Sequence, residues 1–324
     1  MALALDVPLT RRIALELDRP PPPGVEVLCE TIRARHGPAV AAILFYGSCL
    51  RKGTLEGVLD FYVLVDSYRA AYRRLLPAVF NRLLPPNVFY LEQDTEQGTL
   101  RAKYAVISVR DFERCVRPAC MHAYIWARFA QPALLAFTRD EEARARAVRA
   151  TAQAAVTLVQ RLAVFLPVQH DAQRFTASAL WNEAFARTYG AELRTESQET
   201  VRSVYQADPA RYDGVAAETL AMLHQQGWLD EVKRHHDTFE VKMPRARLQR
   251  ARWTWLLRRP LAKVIAGERL IKSAFTFGDW LPYALWKLER HTGTKVELTP
   301  RQRRHPFLFG WPVLARLLRR GDLR

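Results

Sequence analysis

A glycine-serine pair followed by an aspartate forms the pattern in this sequence that most clearly suggests chemistry. Gly47 and Ser48 follow the apolar run VAAILFY, and Asp60 stands after eleven intervening residues in a second apolar run, VLDFYVLV. Glycine lets the backbone approach phosphate groups closely, and the serine hydroxyl adds a hydrogen-bond donor. A carboxylate on the following strand can hold Mg²⁺ against those phosphates, so the pattern predicts a site for a nucleoside triphosphate.

The residue two positions after Asp60 is Tyr62, where a second metal-binding carboxylate is expected. Residues two apart on a strand point to the same face, so Tyr62 removes one ligand from the predicted site. Asp66 shares that face, but six residues of strand span about 20 Å. It reaches the same ion only if the strand ends or bends; otherwise it holds another part of the site or caps the following helix. Taken alone, the stretch is equally compatible with a strand-turn-strand in which Asp60 is a turn residue.

The elements around this pattern predict an α/β fold with a mixed sheet. Four runs rich in β-branched and aromatic residues predict strands, and helical periodicity lies before the first and between the second and third. The predicted strands are VAAILFYGS, VLDFYVLV, NVFYLEQ and LRAKYAVISVRDF. Further on the pattern is mostly helical, and a helix before the short strand DTFEVKMP fits a winged-helix module or a small helical bundle.

These patterns divide the chain into four regions. Residues 1–24 are predicted to be an N-terminal appendage that ends in the stiff proline-rich spacer DRPPPPG. The α/β domain is predicted to cover residues 25–118 and the mainly helical domain residues 119–244. Residues 245–324 are predicted to form a basic helical region that includes a segment at the membrane surface.

The last quarter of the chain carries nearly all of the excess positive charge. The full sequence has 49 Lys and Arg against 33 Asp and Glu, a formal net charge of +16. From Arg245 onward there are 19 basic and 5 acidic residues, and the remainder has 30 basic and 28 acidic residues. Such a region attracts a polyanion, either nucleic acid or an anionic membrane surface, although basic helix faces can also serve solubility alone.

Neither export nor a membrane span is predicted. The first residues lack an apolar core of signal-peptide length, and no stretch of about 20 apolar residues is uninterrupted. The segment HPFLFGWPVLARLLRR mixes aromatic and aliphatic residues with arginines, which fits a helix lying in a membrane interface or one docked on the protein's own core. The four cysteines form no CxxC pair and have no histidine at zinc-ligand spacing, so reduced thiols are expected.

Several segments, taken in order, resemble one branch of the nucleotidyltransferase superfamily, the mitochondrial-type phosphatidate cytidylyltransferases or translocator assembly and maintenance proteins. That family has YGSG at the turn and an aspartate-led apolar strand without a nearby second carboxylate, and YGSC and LDFYVLVD are similar to both. Its motifs IKYGVIS and LYxAGRxxKP are similar to AKYAVIS and AYIWARFAQP, and its later motifs to FARTYGAELR and KSAFTFGDWLPYALWK. The resemblance covers most of residues 40–290, with Ala105 in place of a glycine, and indicates a divergent, bacterial-type relative.

The resemblance implies that CTP and phosphatidate react to give CDP-diacylglycerol and pyrophosphate, with Mg²⁺ as cofactor. It implies that Gly47 and Ser48 hold the nucleotide, and that Asp60 binds Mg²⁺ with Asp66 as a helper. It implies as well that Lys103 is a catalytic residue together with Asp60, by neutralising phosphate charge. The residues implied to contact phosphate or lipid are Arg128, Lys272, Thr276 and Lys287.

The same resemblance implies a cytoplasmic enzyme bound peripherally to the inner face of the cell membrane, whose basic region contacts anionic lipid and not nucleic acid. Two alternatives stay open. One is a soluble nucleotidyltransferase that modifies a small hydroxyl compound, which needs a second carboxylate and a base near Asp60. The other is a catalytically decayed nucleotidyltransferase fold that binds RNA or lipid; RNA binding favours aromatic residues exposed within a basic groove. No oligomeric state is predicted.

Overall fold

A computed structural model describes residues 5–95, 98–169, 171–191 and 198–276, together with residues 299 and 301. The elements of the first half are α1 (Val7–Leu17), α2 (Val25–His36), β1 (Val40–Tyr46), α3 (Ser48–Lys52), β2 (Val58–Val65), α4 (Tyr68–Ala71), α5 (Leu75–Leu83), β3 (Asn87–Thr95), β4 (Gly98–Ser108), α6 (Val109–Cys115), α7 (Trp126–Phe129) and β5 (Ala133–Thr138). The elements of the second half are α8 (Glu141–Leu162), β6 (Val168–Gln169), β7 (Ala172–Thr176), α9 (Ala177–Ala191), α10 (Gln198–Gln206), α11 (Pro209–Gln225), β8 (Glu231–His235), β9 (Thr238–Lys242) and α12 (Arg245–Thr276).

The first half of the chain builds a five-stranded mixed sheet in the order β3-β4-β2-β1-β5. β2 and β4 run parallel, and the other neighbouring strands are antiparallel. Every residue of β1 is buried, because an unbroken apolar run suits a strand that is covered on both faces. The α/β domain with a mixed sheet that the sequence predicts is therefore confirmed.

The structure departs from the predicted elements where tertiary contacts outweigh the local pattern. β2 has the limits of its apolar run, but the edge strand β5, which pairs with β1, is not among the predicted strands. The helical segment expected after β2 is divided into α4 and α5, because Tyr72 between them is extended. A short strand can be specified by the neighbour with which it pairs rather than by its own composition.

The second half combines long helices with a four-stranded antiparallel sheet in the order β6-β7-β9-β8. α8 is central to this half, since it contacts α1, α7, α9 and α11. Its buried residues are mostly alanine and valine, which let neighbouring helices approach closely, and Asp140 caps its first turn through the N–H of Ala143. Because α8 also contacts β1 and β5, the helices and the larger sheet share one core.

The segment predicted to be an N-terminal appendage is packed into this core. Leu9, Ile13 and Leu17 of α1 are completely buried. Glu16 forms an ion pair with Arg211 of α11 at 2.7 Å, and both side chains are only 6% exposed. Losing either partner would leave a charge in a low-dielectric interior, so this pair fixes α1 against α11. The division of the chain into independent units stays a prediction.

The basic region begins with α12, which contains Pro260 and contacts α9 and β3. Within the described ranges, no helix is both long enough and apolar enough to cross a membrane. The segment HPFLFGWPVLARLLRR, for which an interfacial helix is predicted, lies outside the described residues.

Candidate functional site

Strand pairing brings the glycine turn directly beside Asp60. Tyr46, the last residue of β1, pairs with Asp60 of β2. Gly47 follows with a φ of 97°, which residues with a side chain rarely adopt. A Cβ at this position would lie 2.9 Å from Oδ2 of Asp60. Glycine is therefore required both by the backbone angle and by the close approach of the carboxylate.

Lys103 lies beside Asp60 on the neighbouring strand. The parallel pairing of β2 with β4 sets these two residues opposite each other, so their half-buried side chains leave the sheet on the same face. Tyr62 points to that face as well, and its buried ring lies 4.9 Å from the ring of Phe129, centroid to centroid. The position expected to carry a second carboxylate is thus part of the aromatic core.

Arg128 approaches the same face from α7. Its Nη1 donates to the hydroxyl oxygen of Tyr46 at 3.3 Å, and its guanidinium carbon lies 4.3 Å from the ring centroid of Tyr124. A hydrogen bond and a cation–π contact together orient the planar guanidinium. The positive charge of Arg128 also acts on the carboxylate of Asp60. The structure therefore brings Gly47, Asp60, Lys103 and Arg128 together.

Arg51 is a further cation near Asp60 that reasoning from the sequence missed. It lies in α3, immediately after the glycine turn, and its Nη1 donates to Oε1 of Gln131 at 3.1 Å. One helical turn separates it from Gly47, which directs it back toward the turn. Its position between Gly47 and Asp60 in the sequence is a signal that could have identified Arg51 as a site residue. No sequence pattern predicts the helix Ser48–Lys52 that directs its side chain toward the turn.

The charge on Asp60 is disfavoured by its surroundings. Burial raises the pKa of this carboxyl, even though Lys103, Arg128 and Arg51 each act to lower it. No hydrogen bond joins any of the three cations to the carboxylate among the residues that the structure describes. Asp60 nevertheless keeps part of its surface accessible. An accessible carboxylate among three cations is suited to a ligand that brings both negative charge and a metal ion.

The residues present fit Mg²⁺ through a single protein carboxylate. Mg²⁺ commonly keeps several waters and binds through one or two carboxylates together with substrate phosphates. Asp60 would provide that carboxylate, and the three neighbouring cations would provide positive charge for phosphate oxygens. The missing second carboxylate is therefore compatible with a metal that is held jointly with a triphosphate.

Asp66 does not lie beside Asp60 in the structure. β2 continues unbroken from Val58 to Val65, so the two aspartates lie at its opposite ends. Arg139 donates to both carboxylate oxygens of Asp66, at 2.5 and 3.3 Å, and the backbone N–H of Asp66 donates to the carbonyl of Ala39. The condition under which Asp66 could share a metal with Asp60, an early end or bend of the strand, is not met.

The remaining predicted residues lie at different places. Ser48 is exposed at the first position of α3, next to Gly47. Lys272 donates through Nζ to the carbonyl oxygens of Leu84 and Pro86, just before the edge strand β3 and away from Asp60. Thr276 is the last described residue of α12, and Lys287 lies outside the described residues. Phosphate contacts of Lys272, Thr276 and Lys287 stay predictions.

All four cysteines are reduced thiols, but two of them lie beside a histidine that their spacing does not predict. Cys115, Cys120 and His122 come together, with their ligand atoms all within 4.8 Å of one another. The spacing Cys-x₄-Cys-x-His belongs to none of the common zinc motifs, so only the path of the loop after α6 reveals the cluster.

The candidate site thus consists of a glycine turn, one carboxylate and three cations at one end of the central strands. No protein-family model matches the chain, and no curated protein matches it either.

Proposed function

We propose that this chain is a phosphatidate cytidylyltransferase with a nucleotidyltransferase-like fold, which converts CTP and phosphatidate to CDP-diacylglycerol and pyrophosphate with Mg²⁺. One observation carries the proposal: Gly47 lies against Asp60 while Lys103, Arg128 and Arg51 surround the same carboxylate. Nucleotidyl transfer needs a backbone turn for the triphosphate, a carboxylate for the metal and cations for the departing pyrophosphate. The site contains each of these parts.

In the proposed reaction, a phosphate oxygen of phosphatidate attacks the α-phosphorus of CTP. A new P–O–P linkage forms, and the bond from the α-phosphorus to the oxygen that bridges to the β-phosphorus breaks and releases pyrophosphate. Bound Mg²⁺ supplies neutralising charge at the triphosphate, and Asp60 would hold it. Lys103 and Arg51 neutralise charge on the leaving pyrophosphate, and the planar fork of Arg128 orients a phosphate through two parallel hydrogen bonds.

The surroundings of Asp60 favour an acceptor that is already anionic. Among the residues that the structure describes, the charged side chains that act on the Asp60 carboxylate are cations, namely Lys103, Arg128 and Arg51. A hydroxyl acceptor needs a base to remove its proton, whereas an ionised phosphate oxygen does not. Tyr62 occupies the position where a second carboxylate could act as that base. A lipid phosphate monoester therefore suits this site better than a small hydroxyl compound.

α12 supports a lipid acceptor because it exposes large apolar side chains. Trp253, Leu256, Leu257 and Val264 are 66%, 56%, 73% and 57% exposed. Their spacing of three, four and seven residues places them on one side of the helix. α12 also contains nine basic residues and one acidic residue, a mixture suited to the interface of an anionic membrane. The proposed location is the cytoplasmic side of the cell membrane, with the protein bound at its surface.

The finer architecture is part of the same proposal. α11 is followed by the antiparallel hairpin of β8 and β9, which supports a winged-helix interpretation of residues 119–244. The segment HPFLFGWPVLARLLRR is proposed to lie in the interface as a second membrane contact.

The activity is tested by incubating the purified full chain with radiolabelled CTP, Mg²⁺ and vesicles that contain phosphatidate. Labelled CDP-diacylglycerol and an equal amount of pyrophosphate are expected. Vesicles of phosphatidylglycerol keep the anionic surface but lack the phosphate monoester, so they should give no product. Absence of product with several divalent metals and lipid compositions, or labelling of a soluble hydroxyl compound instead, would overturn the proposal.

Membrane binding is tested separately by co-sedimentation with anionic vesicles. The double variant Leu256→Asp and Leu257→Asp should lose most of its binding, because it places two charges on the apolar face of α12. Leu15→Asp is a matched control, since Leu15 is equally exposed but lies on α1. If the unmodified chain, the double variant and Leu15→Asp bind the vesicles equally, α12 is not part of the membrane surface. Preferential binding of RNA by the unmodified chain would favour the non-enzymatic alternative.

A further inference from the structure

A cluster of metal-binding side chains lies outside the proposed nucleotide site. Cys115 ends α6, and Cys120 and His122 lie in the loop that leads to α7. The two sulfur atoms and an imidazole nitrogen all lie within 4.8 Å of one another. Cys115 is buried and the other two side chains are half-buried, so the cluster is enclosed but not sealed from solvent.

The separation of these atoms is close to what a tetrahedral metal ion requires. Zinc–sulfur bonds of about 2.3 Å and zinc–nitrogen bonds of about 2.0–2.1 Å, at a tetrahedral angle, place sulfur and nitrogen about 3.6 Å apart. The measured distance from Sγ of Cys120 to Nε2 of His122 is 3.6 Å. Small movements of the side chains would therefore allow one ion to contact all three ligand atoms.

Two arginines hold the same loop through its backbone carbonyl groups. Arg161 of α8 and Arg258 of α12 both donate to the carbonyl oxygen of Pro118, and Arg258 also donates to that of Cys120. Two thiolates offset the charge of one divalent cation, so the ion would add no net charge beside the guanidinium groups. Thiolate and imidazole ligands together select zinc rather than Mg²⁺.

We propose that Cys115, Cys120 and His122 bind a Zn²⁺ ion that holds the loop between α6 and α7 in place. Three protein ligands leave the fourth tetrahedral position for water. The loop continues directly into α7, which carries Arg128, so the ion has a positioning role for the guanidinium that faces Asp60. The metal site itself does not depend on the proposed nucleotidyl transfer.

The binding test uses the purified full chain, Zn²⁺ and Co²⁺. Elemental analysis after addition of Zn²⁺ and removal of excess should find about one Zn²⁺ per chain. Co²⁺ should give the near-ultraviolet thiolate charge-transfer band and the visible bands of a tetrahedral complex, and Zn²⁺ should abolish them. These signals should disappear in Cys115→Ser, Cys120→Ser and His122→Gln, and should persist in Cys29→Ser, which removes a buried cysteine elsewhere.

A second measurement needs no substitution and therefore does not depend on the folding of the variants. Bound Zn²⁺ should slow alkylation of Cys115 and Cys120, as followed by mass spectrometry, and raise the melting temperature of the chain. Absence of stoichiometric metal, or metal retained in all three variants, would overturn the proposal. A disulfide between Cys115 and Cys120 in protein isolated without reductant, with no metal bound, would also overturn it and favour a redox role.

Discussion

An aspartate lies near each end of β2, but the surroundings of the two carboxylates differ. At one end, Asp60 lies beside Gly47 among three cations, and burial raises the pKa of its carboxyl. At the other end, Asp66 is bound through both oxygens by Arg139 and is half exposed to solvent. Their even spacing predicts that both side chains leave the strand on the same face, so the sequence pattern does not distinguish them.

Asp66 is stabilised by an ion pair with Arg139, whereas burial disfavours the ionised form of Asp60. Asp66 has a direct partner, and such an exposed ion pair contributes little beyond local order. Asp60 remains ionisable in an environment that disfavours its charge, and groups of this kind cluster at functional sites. The two carboxylates therefore differ in whether a neighbouring cation forms a direct ion pair with them, which Arg139 does with Asp66.

The largest expected effect is that of Asp60→Asn. Loss of the carboxylate should reduce formation of CDP-diacylglycerol by about 10³-fold or more, because the charge that holds Mg²⁺ contributes several kcal/mol. The melting temperature at neutral pH should stay the same or rise, since burial disfavours the ionised form that asparagine replaces. An activity assay measures the loss of product, and thermal unfolding measures the melting temperature. Retained activity, or a melting temperature lower by several degrees, would contradict the proposed role of Asp60.

Arg128→Lys should lower activity by about 10- to 100-fold, because lysine keeps the charge but loses the planar fork. Contacts with Tyr46 and Tyr124 would be lost in the same variant. Arg139→Lys is the matched control, since it makes the same change at the Asp66 end of β2. Steady-state kinetics should show a lower activity for Arg128→Lys than for Arg139→Lys. Equal activities would mean that the cation near Asp60 matters no more for catalysis than the one near Asp66.

Gly47→Ala should destabilise the chain by about 1–3 kcal/mol and reduce activity, because its backbone angle is unfavourable for alanine and the new Cβ would approach Asp60. Gly53→Ala at the other end of α3 also has a positive φ, of 62°, but its Cβ would meet nothing within 4 Å. Urea unfolding should therefore show a smaller loss for Gly53→Ala, which should keep full activity. Identical losses of activity would mean that close approach to Asp60 is unimportant.

The pH dependence of stability probes the end of the sheet that holds Asp66. The Nδ1–H of His36, which precedes the turn into β1, donates to the carbonyl of Ala71, and burial lowers the pKa of this imidazole from 6.5. The unfolded chain therefore takes up a proton first, and the free energy of unfolding should fall as the pH drops below about 6.5, until the folded pKa is passed. In urea unfolding at several pH values, His36→Phe should flatten this slope; an unchanged slope would contradict the assignment.

The smallest effect is expected for Asp66→Asn. Loss of the ion pair with Arg139 should cost about 0.2–1 kcal/mol of unfolding free energy and leave catalysis unchanged. Kinetics as a function of Mg²⁺ concentration are the decisive measurement. A raised Mg²⁺ requirement in this variant would show that Asp66 serves the metal after all, and the contrast between the two aspartates would fail.

Much of the larger sheet could be predicted from the sequence because its central strands are buried on both faces. The apolar runs around Phe45 and Phe61 therefore have sharp limits, and the glycine turn with Asp60 stands out between them. Contacts between distant segments could not be predicted in the same way. The sequence predicts an N-terminal appendage because it does not reveal the ion pair between Glu16 and Arg211. It likewise predicts an ordinary loop residue at Arg51, which the structure places in α3.

The sequence by itself determined the α/β class, the positions of Gly47 and Asp60, and the basic character of the last quarter. These depend on local composition, hydrophobic periodicity and short spacing, which a linear pattern contains. Only the tertiary structure decided that Lys103, Arg128 and Arg51 face Asp60, that Asp66 is paired with Arg139, and that two cysteines meet a histidine. Strand register and loop path set those neighbours, because a side chain's environment is fixed by residues far away in the chain.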